Sequence, residues 1–123
     1  MEHPHLACSL IGAAIDVHRA LGPGLLESSY QACLAYELAQ RGVPFQRERG
    51  LHVRYKGVDV ECGYRLDFLI GEEVVVEVKS VEALAPIHTA QILTYLKLGG
   101  WKLGYLLNFN VPLMKHGIKR VIL

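Results

Sequence analysis

Residues Arg65 to Lys79 read RLDFLIGEEVVVEVK, two apolar runs that are joined by a short polar turn. Apolar runs on either side of a glycine-containing turn are typical of a β-hairpin. A three-residue loop, Gly71–Glu73, places Ile70 opposite Val74 and gathers the apolar side chains on one face, whereas a two-residue loop mixes the faces. The stretch therefore predicts a hairpin whose loop is Gly71–Glu73.

This register predicts a cluster of charged side chains. Asp67 stands opposite Glu77, and Lys79 lies on the same face because side chains alternate along a strand. Two opposed carboxylates repel each other unless one is protonated or both hold a cation, and a hard ion such as Mg²⁺ or Mn²⁺ suits oxygen ligands. The lysine would then orient an attacking water or stabilise charge on a phosphate. The alternative is a solvated charged face. The run Val74–Lys79 is otherwise so apolar, however, that buried charges in it need a partner or a metal.

Composition limits the classes of protein to which the chain can belong. Its 123 residues, 51% of them hydrophobic, are enough for one folded domain. A formal net charge of +1 excludes a broadly basic surface, so any nucleic-acid binding would use a local patch or a bound cation. The three cysteines, Cys8, Cys33 and Cys62, have no CxxC spacing, which argues against zinc or a disulfide framework. With no 18-residue apolar run and no secretory signal in Met1–His5, we expect a cytoplasmic protein and no membrane partner.

The remaining pattern predicts an α/β domain with a central mixed β-sheet. Apolar residues at three- and four-residue steps predict helices over 5–21, 26–41 and 86–98. The predicted strands are 45–55, 58–70, 74–79, 101–109 and a short last strand at 118–123. The element order is thus α-α-β-β-β-α-β-(β), and the almost wholly apolar strand 101–109 is expected at the centre of the sheet.

Three motifs resemble those of the PD-(D/E)XK nuclease superfamily. Asp67 followed by Glu77–Lys79 (EVK) is similar to its D-x(n)-(D/E)-x-K core. Gln91–Tyr95 (QILTY) resembles the Q-x-x-x-Y element of its RecB-type members, and Gly24–Tyr30 (GLLESSY) resembles the signature of its GxxExxY proteins. The residue before Asp67 is Leu66, where the superfamily's name has proline.

The resemblance implies a restriction-endonuclease-like fold and a Mg²⁺- or Mn²⁺-dependent nuclease site. Asp67, Glu77 and Lys79 would form its catalytic centre, with Glu27 as a further carboxylate at the metal. Gln91 and Tyr95 would line the site and either contact substrate or order the lysine. The implied partner is nucleic acid, with DNA favoured over RNA.

Each helical residue of this set also has a structural explanation. Glu27 lies in the first turn of its helix, where the helix dipole favours a carboxylate. Tyr30, one turn further on, points the same way and is either a substrate contact or a core tyrosine. His88, Gln91 and Tyr95 form one stripe of the third helix, which faces either the cleft or solvent, and a lone histidine is more often structural.

Two other functions fit the same sequence. The chain could be a catalytically silent nuclease-fold module that binds or regulates, with the charged cluster as a relic. It could also be an interaction subunit that forms a homodimer through the apolar Trp101 strand or the first helix.

Four basic residues lie on the first predicted hairpin, which is formed by strands 45–55 and 58–70. They either contact phosphates or line a solvated strand edge; they are Arg47, Arg49, Arg54 and Lys56.

Overall fold

The computed structural model describes residues 4–60 and 63–123, so Met1 to His3, Glu61 and Cys62 lie outside the described residues. The helices are α1 (Pro4–Leu21), α2 (Glu27–Gln40) and α3 (Pro86–Gly99), with a short 3₁₀ helix at Met114–Gly117. The strands are β1 (Phe45–Gly50), β2 (Val53–Tyr55), β3 (Val58–Val60), β4 (Arg65–Ile70), β5 (Val74–Lys79), β6 (Leu103–Asn108) and β7 (Ile118–Ile122). Across the described residues, no helix is both long and apolar enough to cross a membrane.

Five strands form one mixed sheet in the order β1-β4-β5-β6-β7. Strands β5 and β6 are parallel, and their connection runs through α3, as a parallel crossover requires. The predicted central strand is confirmed, because β6 pairs with β5 on one side and β7 on the other. Both edges of β6 are thus paired within the sheet, and Trp101 packs against a core cluster, so neither edge of this strand is open to a second copy.

The two long strands predicted at 45–55 and 58–70 are each broken in two. The first breaks at Leu51, a buried residue, and the second is interrupted at Gly63, which has a left-handed backbone with φ of 69°. Their inner halves, β2 and β3, leave the sheet and form a separate two-stranded ribbon. The outer halves, β1 and β4, pair with each other in the main sheet.

Helices cover both faces of the sheet. Strand β5 alternates between them: Val74, Val76 and Val78 belong to the core cluster under α1 and α2, while Val75 packs with Ile92 of α3. The charged residues of β5 share the parity of Val75, so they lie on the α3 face. The layers therefore place the charged end of the hairpin beneath α3.

Candidate active site

The β4–β5 hairpin has the predicted register. Ile70 stands opposite Val74, and Phe68 stands opposite Val76, so the loop is Gly71–Glu73. Backbone pairing covers these positions and ends at Phe68 and Val76. The next position along the two strands belongs to the two predicted carboxylates.

Asp67 and Glu77 replace the next step of the backbone ladder with side-chain hydrogen bonds. The Asp67 N–H donates to Glu77 Oε2 at 2.9 Å, and the Val78 N–H donates to Asp67 Oδ2 at 2.8 Å. Each carboxylate thus accepts from the backbone of the opposite strand. The two acidic side chains lie side by side at the point where the hairpin opens, as strand parity predicted.

Burial makes this pair electrostatically unusual. Desolvation, followed by the charge of Asp67, raises the pKa of Glu77 to about 8, and Glu77 is only 6% exposed. Desolvation also raises the pKa of Asp67. The Lys79 charge lowers the pKa of both carboxyls, whereas the Glu27 charge raises it. The site therefore has an excess of negative charge that a proton or a cation would relieve.

Glu27 reaches this site from the start of α2. Its Oε2 accepts the Ser80 N–H at 3.3 Å, and the Ser80 hydroxyl donates to the Leu25 carbonyl at 2.7 Å. Ser80 directly follows Lys79, so these bonds connect the segment before α2 to the end of β5. The structure thus brings together Glu27 and the hairpin carboxylates, which lie far apart in sequence.

The donor chemistry fits a hydrated divalent cation held by two carboxylates. Within residues 4–60 and 63–123, no group of three or more His, Cys, Asp or Glu side chains is placed to hold a metal ion. Asp67 and Glu77 each use one oxygen for a backbone N–H, which leaves the other oxygen for a cation. Mg²⁺ commonly binds through one or two carboxylates and keeps several waters.

Tyr95 of α3 lies near the two carboxylates. Tyr95 is 7% exposed, and burial, followed by the charge of Glu77, raises the pKa of its hydroxyl. Gln91 is exposed and forms a side-chain hydrogen bond with Tyr95. His88 has the structural role, since its Nδ1 accepts the Ala85 N–H at 2.9 Å at the start of α3.

Tyr30 lies in the core, and its position does not support the predicted substrate contact. It is fully buried, and its ring stacks on Phe109 with the centroids 4.6 Å apart. Its hydroxyl donates to the Gly22 carbonyl at 2.6 Å and accepts the Leu25 N–H at 3.1 Å. Tyr30 therefore fixes the segment between α1 and α2 that leads into Glu27.

Sequence reasoning missed Asn108, at the end of β6. Asn108 is 2% exposed; its Oδ1 accepts the N–H groups of Val81 and Asn110, and its Nδ2 donates to the Val81 carbonyl. It also stands beside Lys79 in the parallel β5–β6 register. It thus holds the segment that follows Lys79. The sequence could have indicated this role, because a polar residue at the end of an apolar strand is often buried and a buried amide needs hydrogen-bond partners.

Glu48 was also missed. It lies between Arg47 and Arg49, whose ladder partners, Phe68 and Leu66, flank Asp67. Its φ of 49° is left-handed, and its charge contributes to raising the pKa of Asp67. Nothing in the sequence pattern distinguishes this residue, because its importance depends on β1 lying beside β4.

The basic residues of the first hairpin have neighbours within the fold. Arg47 lies over the ring of Phe68, Arg49 over Trp101 and Lys56 over Tyr55, while Arg54 pairs with Asp59.

Comparison with known families agrees with this geometry. A family model, described as that of the PD-(D/E)XK nuclease superfamily, matches residues 4–121. The match spans the hairpin carboxylates, Glu27 and α3, and it does not distinguish the GxxExxY subfamily. No significant match was found among curated proteins or among solved structures.

Proposed function

We propose that this chain, which belongs to the PD-(D/E)XK nuclease superfamily, is a metal-dependent nuclease that hydrolyses phosphodiester bonds. Superfamily membership supports a nuclease-like function. The observation that carries the proposal is a pair of cross-strand hydrogen bonds, from the Asp67 N–H to Glu77 Oε2 and from the Val78 N–H to Asp67 Oδ2. They set the half-buried Asp67 carboxylate beside the buried Glu77 carboxylate where the hairpin opens. Placing two carboxylates in an apolar sheet costs free energy, and a bound cation would offset that cost.

Asp67 and Glu77 would hold Mg²⁺ or Mn²⁺, and Glu27 would act on it through water. Such a cation, when bound, polarises a phosphodiester and lowers the pKa of a water molecule. The role of Glu27 is supported by its hydrogen bond to Ser80, which keeps its carboxylate at the end of β5.

Lys79 would orient the attacking water or offset charge on the phosphate. Its position is supported by the influence of its charge on both carboxyls. Tyr95 and Gln91 would line the substrate side of the site, since Tyr95 faces Glu77 and is hydrogen-bonded to the more exposed Gln91.

Labelled DNA and RNA incubated with the protein in Mg²⁺ or Mn²⁺ test the proposal. We expect cleavage by the wild type, a loss of at least about 100-fold in Lys79→Ala, and full activity in Lys97→Ala. Lys97 is a matched control because it is exposed in the last turn of α3. Equal cleavage by the wild type and Lys79→Ala would show that the signal is contamination and would refute the assignment.

A specific observation favours the alternative of a catalytically silent binding or regulatory module. The described residues contain no three-residue metal-ligand group, so the site relies on two carboxylates. Calorimetric titration with Mg²⁺ or Mn²⁺ separates the two proposals. Heat of binding that is lost in Asp67→Asn supports the nuclease, whereas no binding by the folded wild type at millimolar metal supports the silent module.

Four narrower proposals accompany the main one. The chain would belong to the GxxExxY subfamily, as its Gly24–Tyr30 segment suggests, would act on DNA rather than RNA and would work in the cytoplasm. A homodimer would have to use a surface such as α1, because β6 is enclosed. Matched DNA and RNA oligonucleotides test the substrate, and light scattering at high protein concentration tests the dimer.

A further inference from the structure

Tyr64, just before β4, is the outer member of an aromatic pair at the candidate site. It is 49% exposed, and its ring centroid lies 6.3 Å from that of Tyr95, with the ring planes tilted by 48°. Tyr95 in turn lies close enough to Glu77 and Asp67 for their charges to raise the pKa of its hydroxyl. The two rings therefore lead from the carboxylates towards solvent.

Tyr64 also lines a cavity of about 260 Å³, which we call the Tyr64 pocket. Its walls include Leu51, His52, Val60 and Arg65. The Leu51 N–H donates to the Tyr64 carbonyl at 3.0 Å, which fixes the backbone at this wall. The pocket is smaller than the roughly 300–1,000 Å³ typical of sites for drug-sized ligands, so it suits a single planar group.

The chemistry of the walls matches one nucleotide. An exposed aromatic face is a stacking surface for a base of any sequence. Arg65, exposed on β4 two residues before Asp67, offers the planar donor set that binds phosphate oxygens. Because the chain has a formal net charge of only +1, stacking and a few local cations have to supply substrate affinity that a basic surface would otherwise give.

We propose that the Tyr64 pocket binds an unpaired nucleobase beside the bond that is cut, with Tyr64 stacking on the base and Arg65 contacting the adjacent phosphate. The inference rests on the proposed nuclease function and specifies its substrate class. A base within a duplex must leave the stack before it can enter such a pocket. Single-stranded substrate is therefore bound more tightly than the same sequence in a duplex.

Binding is measured with a single-stranded DNA oligonucleotide that carries 2-aminopurine, in Mg²⁺ and in the Lys79→Ala background so that the strand stays intact. Adding Tyr64→Ala is expected to weaken binding roughly tenfold or more and to abolish 2-aminopurine quenching, while Tyr64→Phe keeps both. Tyr55→Ala is the matched control, because Tyr55 is an exposed tyrosine on the neighbouring β2–β3 ribbon that does not line the pocket. The duplex form is expected to bind more weakly, and Tyr64→Ala is expected to affect it less.

Several results would overturn the pocket: no binding of the oligonucleotide by the Lys79→Ala protein, unchanged affinity in Tyr64→Ala, or an equal loss in Tyr55→Ala. Circular dichroism of each variant shows whether a loss reflects unfolding. Tyr64→Leu, which keeps an apolar side chain but has no ring to stack on a base, repeats the test if Tyr64→Ala unfolds. Failure of the proposed nuclease function would be seen in a different measurement, the cleavage assay. A wild type that cleaves no nucleic acid but binds it through Tyr64 would refute the nuclease and retain the pocket.

Discussion

Glu77 is the residue whose protonation most affects the candidate site. It is buried next to Asp67, and desolvation is the main cause of its raised pKa, with repulsion from Asp67 second. The folded protein therefore holds the Glu77 proton more tightly than the unfolded chain does. The stability that this proton contributes is fully present below the ordinary pKa of 4.5 and is lost as pH rises towards about 8.

Glu77→Gln should remove this pH dependence. In metal-free buffer, we expect wild-type stability to fall between about pH 5 and about pH 8, and we expect the variant to be the more stable protein at the upper end. The wild type should lose on the order of a few kcal/mol of unfolding free energy over this range, since one pKa unit corresponds to about 1.4 kcal/mol. Urea unfolding with EDTA measures it, with the exposed Glu82→Gln as control. Parallel pH profiles for wild type and Glu77→Gln would contradict the prediction.

Asn108→Ala should destabilise the segment after Lys79. The substitution leaves the Val81 N–H without its partner and leaves the Val81 carbonyl only the longer bond from Asn110, which costs about 1–3 kcal/mol. Asn110→Ala is the natural comparison, because its amide donates to the same carbonyl at only 3.4 Å and should contribute less. Denaturant midpoints measure both variants, and equal losses would show that burial of Asn108 adds nothing.

At the scale of elements, the hairpin was the most predictable part of the molecule. Its register followed from parity alone, because only a Gly71–Glu73 loop separates the valines of β5 from Glu77 and Lys79. The helix boundaries also followed from local signals, such as Pro86 at the start of α3 and left-handed Gly100 at its end.

The contacts that complete the site could not be predicted from local signals. Glu27 meets Ser80 across 53 residues, and Asn108 meets Val81 across 27. Such pairs depend on how α2 and β6 are placed against β5, which no periodicity encodes. The same limit explains Tyr30: its spacing from Glu27 is visible in the sequence, but the burial of its hydroxyl by the Gly22–Leu25 segment is not.

Tyr30→Phe tests whether that segment depends on the hydroxyl. The variant keeps the stack on Phe109 and loses the bonds to Gly22 and Leu25, so we expect a loss of about 1–2 kcal/mol in unfolding free energy. Affinity for Mn²⁺ should also fall, because the segment leads into Glu27. Tyr36→Phe, an exposed position on the same helix, should change neither quantity. A variant with wild-type stability would show that the hydroxyl bonds do not stabilise the segment.

The whole molecule combines a nearly neutral chain with a locally acidic site. Thirteen Lys and Arg residues are balanced by twelve Asp and Glu residues, while the acidic side chains of Asp67, Glu77 and Glu27 are all held by backbone N–H groups at or near the end of β5. A phosphate approaching this end of the sheet meets repulsion until a cation is present. Metal binding, substrate binding and global stability should therefore be coupled.

This coupling gives a prediction for thermal unfolding. Under the proposed function, a cation would bind the folded pair with Glu77 deprotonated, so its affinity should rise with pH through about 8. At 100 times its dissociation constant it would add about 2.7 kcal/mol to the free energy of unfolding. We expect Mg²⁺ or Mn²⁺ to raise the melting temperature of the wild type more at about pH 8.5 than at about pH 6. Asp67→Asn should lose the shift at both values, while Asp59→Asn, exposed on the ribbon, should keep it. An equal shift in Asp67→Asn would place the ion elsewhere, and an equal shift at both pH values would show that Glu77 does not bind it.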